Sequence, residues 1–76
     1  MKTLNPSVND ILNDYFYYKC SITLKNRQVL VGIFRPNPDR DNKVYEWKFN
    51  ILPHKEDVYI PHDEILEIEK PDQPND

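Results

Sequence analysis

The chain reads as an all-β protein, a small five-stranded barrel preceded by one N-terminal α-helix. Three observations predict this class. Four stretches show the two-residue apolar alternation of half-buried strands, and a fifth, Val29 to Arg35, is apolar on both faces. Proline, asparagine and charged residues separate the stretches. The last two strands, around Val58–Ile60 and Leu66–Ile68, are joined by so short a connection that they must meet at a sharp corner. Pro61 has no amide to give to a ladder and ends the first of them; His62, Asp63 and Glu64 then form a polar helical-type turn.

The elements follow in order. Asn5 followed by Pro6 is a helix opening, and Val8, Ile11, Leu12 and Tyr15 recur at helical spacing, so a short amphipathic helix is expected from about residue 6 to about residue 14. The period changes at Tyr17: Tyr18, Cys20, Ile22 and Leu24 form the inward face of the first expected strand, with Tyr17, Lys19, Ser21 and Thr23 outward. Lys25 to Gln28 make the turn, with Asn26 expected in the left-handed conformation. The second strand holds the only glycine, Gly32, which permits a sharp bend. Pro36 to Lys43 is a loop, and from Val44 onward Tyr45, Trp47, Phe49 and Ile51 present a large aromatic face to the core. The expected core is Ile22, Leu24, Val31, Ile33, Trp47, Phe49, Ile51, Ile60 and Ile68.

With 76 residues there is room for one domain, expected over residues 1–70, and residues 71–76 have nothing to bury and are expected to form a disordered tail. A lone cysteine closes no internal disulfide, and no apolar run approaches the roughly 20 residues that span a bilayer. With no secretory leader pattern either, the expectation is a cytoplasmic protein without membrane attachment.

Net charge is −3, but it is unevenly spread. Residues 1–35 carry five basic and two acidic side chains, a net of +3; residues 36–76 carry five basic and eleven acidic ones, a net of −6. A basic first hairpin and an acidic last strand suit attraction between copies, or nucleic acid accepted at one end and repelled at the other; the plainer reading is a solvated, soluble surface. Small barrels leave the edges of the last two strands open, so pairing of the edge bearing Glu67 and Glu69 with the hairpin bearing Lys25, Arg27 and Arg35 is the expected mode of self-association.

The helix, the strand ending in Leu24-Lys25-Asn26 and the bent strand with Leu30-x-Gly32-x-Phe34 resemble, over residues 5–69, the Sm and Sm-like fold, the bacterial Hfq family of RNA chaperones included. Arg27 stands where that family usually has the glycine of an Asn-Gly turn, and the loop from Pro36 to Lys43 replaces its Asp-x-x-x-Asn pocket element. The resemblance implies an oligomeric ring that binds RNA, and makes His62, close to the family's Lys-His pair, a candidate contact. The layout is also similar to the Rho-binding antiterminator family, which implies a small acidic regulator acting on another protein, and its strand–turn–strand ending resembles SH3-type domains.

Chemistry is sparse. Cys20, His54 and His62 lack the spacing of a zinc site, and no nucleophile with a base stands out, so no metal, cofactor or catalytic activity is expected. The candidates for binding are the outward tyrosines Tyr17 and Tyr59, the cations Lys19, Lys25, Arg27 and Arg35, and His62. The function expected is therefore a non-catalytic bacterial regulatory module working through protein contacts; the alternative is an Sm-like RNA-binding ring.

Overall fold

The computed structural model describes residues 2–36 and 45–70. They form one antiparallel sheet of six strands: β1 (Lys2–Leu4), β2 (Lys19–Leu24), β3 (Val29–Arg35), β4 (Glu46–Ile51), β5 (Glu56–Pro61) and β6 (Ile65–Glu69). Their spatial order is β1-β6-β2-β3-β4-β5. The protein is therefore all-β in its sheet, with one short helical segment, but the count of five strands is corrected to six and the sheet is not closed. The extra strand is β1, whose three residues are too few to display an alternation. The expected loop from Pro36, the start of the third strand at Val44 and the tail at 71–76 fall largely or wholly outside the described residues.

The two ladders that flank β3 are offset along its length. Residues 29–33 of β3 pair with β2, whereas residues 32–35 pair with β4. Gly32 belongs to both ladders. A Cβ built there would fall on the Asn50 carbonyl oxygen and lie 2.9 Å from both the Asn50 carbonyl carbon and Phe49 Cε2. Glycine is required at this position for close approach of the neighbouring strand and ring, not for a turn.

This close approach fixes which face of β3 is inward. Gly32 and Phe34 are buried with Leu30 packed beside them, so Val31 is 40% exposed and Ile33 only half-buried. The placement of Val31 and Ile33 in the core is thus corrected: where both faces are apolar, the position that must approach β4 decides the phase. The core proper comprises Ile11, Tyr15, Cys20, Ile22, Leu24, Phe34, Trp47, Phe49, Ile60, Ile65 and Ile68, with Ile51 packed against it. Phe34 stands edge-on to Trp47 and to Phe49 at centroid separations of 5.5 and 4.9 Å, the preferred aromatic geometry. In β6 the inward residues are Ile65 and Ile68; Leu66 is turned outward because a register shift opposite Thr23 and Leu24 changes the phase. Tyr18 is likewise outward, since β2 begins only at Lys19.

The N-terminal helix is shorter than expected and starts later. Its cap is Ser7, whose hydroxyl accepts from the Asp10 amide at 3.1 Å while the Asp10 carboxylate accepts from the Ser7 amide at 3.0 Å. One α-helical turn, α1 (Val8–Asp10), widens into a π-helical turn over Ile11–Tyr15. Its buried residues are Ile11 and Tyr15, four apart and so on one side. Asn5, expected as the cap, instead adopts φ 47° and turns the chain out of β1. The Tyr15 hydroxyl shares a 2.6 Å hydrogen bond with Thr3 Oγ1, tying the helical segment to β1.

Candidate functional site

The outer face of the sheet gathers four of the seven candidates. Alternation places Lys19 on β2, Arg35 on β3, Lys48 on β4 and Tyr59 on β5 on the same side, away from the core. The register puts Arg35 opposite Lys48 and Lys48 opposite Tyr59, while Lys19 lies opposite Ile33, one outward position from Arg35. Tyr17 joins this group by its backbone: its amide donates to the Phe34 carbonyl at 3.3 Å, which seats it beside the end of β3. The result is a row, Arg35–Lys48–Tyr59, with Lys19 adjacent and the Tyr17 backbone at the Arg35 end, its ring edge-on to Phe16 at 4.8 Å. Tyr17 and Tyr59 are 59% and 52% exposed.

Acidic groups border this row. Lys48 Nζ lies 3.6 Å from Asp57 Oδ2, and Asp57 also accepts from Asn50 Nδ2 at 2.8 Å. Glu46, two residues before Lys48 on the same strand, occupies the next outward position. A short cationic strip flanked by carboxylates suits a ligand with one or two negative charges better than a long polyanion.

The remaining three candidates lie elsewhere. Lys25 and Arg27 are in the β2–β3 turn and His62 is in the 3₁₀ turn His62–Glu64 between β5 and β6. Lys25 and His62, with Asn5, Pro6, Asp63 and Ile65, line an open hollow of about 220 Å³. His62 is a packing partner more than a free ligand: its Nδ1 accepts from the Trp47 indole N–H at 3.0 Å, and its amide donates to the Tyr45 carbonyl at 2.8 Å. That bond leaves the proton of a neutral ring on Nε2. In the turn, Arg27 and not Asn26 takes the left-handed conformation, with φ 72°. Asn26 Oδ1 accepts from the Gln28 amide at 2.9 Å, an Asx turn, which leaves the left-handed position to the following residue.

Cys20 is on the buried face of β2, and burial pushes its thiol up from 9.0 to about 12, with the Lys70 charge opposing. It is an inert packing group at neutral pH. Among the described residues, no group of three or more histidine, cysteine, aspartate or glutamate side chains is placed to hold a metal ion, and no helix is long and apolar enough to cross a membrane.

Two contributors to this face and its corner fall outside the roles that the sequence suggests. Lys48 is the wet alternate of an aromatic strand, and its place between Trp47 and Phe49 is the signal that it faces outward. The His62–Trp47 bond joins residues 15 apart; a buried indole needs an acceptor, and that requirement is the only sequence cue. Comparison with protein families, with curated proteins and with solved structures returns no match.

Proposed function

We propose that this chain is a non-catalytic regulatory binding module of Sm-like strand order, in which β2 to β6 correspond to the five strands of the small barrel and β1 is an addition. The strand sequence β6-β2-β3-β4-β5, the helical segment ahead of it, and the Leu30-x-Gly32-x-Phe34 face turned inward support that reading of the fold. Arg27 adds to it, because it adopts the φ that suits the glycine the family places there.

The module works by docking a short acidic segment of a partner protein across the outer face. The observation that carries this function is the row Arg35–Lys48–Tyr59, where an exposed aromatic ring stands beside two cations, with exposed Tyr17 seated by its backbone at the end of β3. Tyrosine and arginine are the side chains that most often anchor protein interfaces. Because carboxylates border the row, a partner is recognised locally and not by a long charged surface. A double substitution, Arg35→Glu with Tyr59→Ala, tests it: proteins captured from ribonuclease-treated lysate by the parent should be lost with the variant, whose melting temperature should stay close to that of the parent. Capture that is equal for both chains defeats the outer-face assignment.

The second reading, RNA binding, draws on the same row, since exposed tyrosines beside cations also stack and neutralise single strands. Titration with labelled oligouridine and oligoadenosine at two salt concentrations separates the two, because phosphate neutralisation weakens steeply as salt rises. Tight, strongly salt-dependent binding that is lost in the double variant selects RNA over the acidic peptide.

A further inference from the structure

We propose that β1 is an exchangeable strand, and that the β6 edge it covers accepts the same N-terminal strand from a second copy of this chain. β1 is the weakest element of the sheet. It has three residues, pairs on one side only, and turns only Thr3 inward; Lys2 and Leu4 are exposed. Its side-chain attachments are the Thr3–Tyr15 hydroxyl bond at 2.6 Å and a partly exposed ion pair, Lys2 Nζ to Glu67 Oε2 at 3.5 Å. An exposed pair of this kind holds little, and almost no apolar surface is buried to anchor the strand. The next residue, Asn5, is held at φ 47° with its amide bonded to the Leu66 carbonyl at 2.8 Å, so the chain leaves the sheet through a left-handed, non-glycine joint. Asparagine adopts this conformation more readily than other non-glycine residues, so Asn5 serves as a tight hinge at the end of the strand.

When β1 leaves, β6 presents a row of unsatisfied amides and carbonyls, which act as a template for another strand. The self-association expected from the charge pattern needs this edge open, whereas β1 already occupies it. Charge then selects the replacement. The edge carries Glu67 and Glu69, so a strand led by a lysine fits it. The other open strand of a second copy, β5, begins with Glu56 and Asp57 and would set like charges together. A second copy's Lys2–Leu4 rebuilds the same backbone ladder and the same lysine–glutamate pair, at the register Leu4 to Glu67, which is the economy of strand exchange.

The test mixes two full-length chains at high concentration under mild oxidation, one bearing Leu4→Cys and the other a mass-tagged Glu67→Cys. Cys20 is buried and stays out of the reaction. The expected result is a mixed disulfide between the two chains that exceeds either like-with-like disulfide by about tenfold, as pairing raises the effective concentration of the matched positions. A statistical mixture of the three disulfides overturns the proposal. So does a single chain bearing both substitutions that closes only on itself at every concentration tried. A mixed disulfide between Glu67→Cys and Tyr59→Cys chains equal to or above the Leu4→Cys product assigns the edge to β5 instead, and overturns the choice of β1.

Discussion

The two corners of the molecule that touch each other are built on different principles. At the β5–β6 corner the 3₁₀ turn is fastened to the core, by the Trp47 indole on His62 Nδ1 and by the His62 amide on the Tyr45 carbonyl. At the β2–β3 turn the bonds are local but for one: Leu24 amide to Gln28 carbonyl at 2.9 Å, Arg27 amide to Leu24 carbonyl at 2.8 Å, and the Gln28 amide to the Asn26 side-chain oxygen. One backbone bond, Lys25 amide to Glu64 carbonyl at 2.9 Å, links the two. The difference separates structural from available side chains. His62 is committed to holding Trp47, whereas the Lys25 and Arg27 side chains can change with little effect on the core.

The largest test of that contrast is Trp47→Ala. Trp47 is 2% exposed and stands against Phe34, Tyr45 and Phe16, so its loss should cost about 3 to 5 kcal/mol in chemical denaturation. A loss below about 1 kcal/mol, within the range of ordinary surface changes, would show that the corner is not fastened through this ring. Next comes His62→Ala, which leaves the indole donor without its partner and should cost about 1 to 3 kcal/mol. His62→Gln keeps an acceptor and should recover a good part of that. Equal losses for both substitutions would mean that His62 contributes packing alone.

A condition that acts on the core away from both corners gives the baseline. Above pH 9 the unfolded chain releases the Cys20 proton, while the folded chain keeps it until about 12. Fewer protons bound in the unfolded state means that stability falls as pH rises through this window, and Cys20 has no effect below it. Melting temperature followed from pH 8.5 upward, an order-of-magnitude starting point just under the ordinary thiol range, should fall less steeply for Cys20→Ala than for the parent. Parallel slopes would remove burial of the thiol as a cause.

How much of this is legible in the sequence depends on whether a residue's neighbours lie close in the chain. The phase of β4 can be read because Trp47 and Phe49 alternate with Lys48 and Asn50. That of β3 cannot, because Val29 to Phe34 is apolar on both faces and only the approach of Phe49 and Asn50 over Gly32 sets its phase. β1 stays hidden because three residues make no period, and its partner Glu67–Glu69 lies at the other end of the chain. Of the candidate site, exposure of Tyr59 follows from alternation, whereas Tyr17 precedes β2 at φ 69° with Tyr18 exposed beside it; the joining of Arg35, Lys48 and Tyr59 into one row needs the register across three strands. His62 looks like a surface ligand in the sequence because its bond to Trp47 is tertiary.

The smallest effect sharpens the comparison most, because it has the opposite sign. Among the described residues, four that are not glycine hold positive φ: Asn5, Tyr17, Arg27 and Lys55, while Gly32, the only glycine, does not. At Arg27, φ 72° forces the Cβ against the following carbonyl, a strain of about 1 to 2 kcal/mol that glycine does not feel. The Arg27 side chain is exposed, so little packing is lost with it. Glycine loses more chain entropy on folding, which returns part of the gain. Arg27→Gly should therefore stabilise the protein by up to about 1 kcal/mol in denaturant titration. Arg27→Ala should leave stability nearly unchanged, since alanine keeps the Cβ. If Arg27→Gly instead destabilises, the arginine side chain holds the turn by contacts of its own, and the β2–β3 turn is then fastened by a side chain, as the β5–β6 corner is.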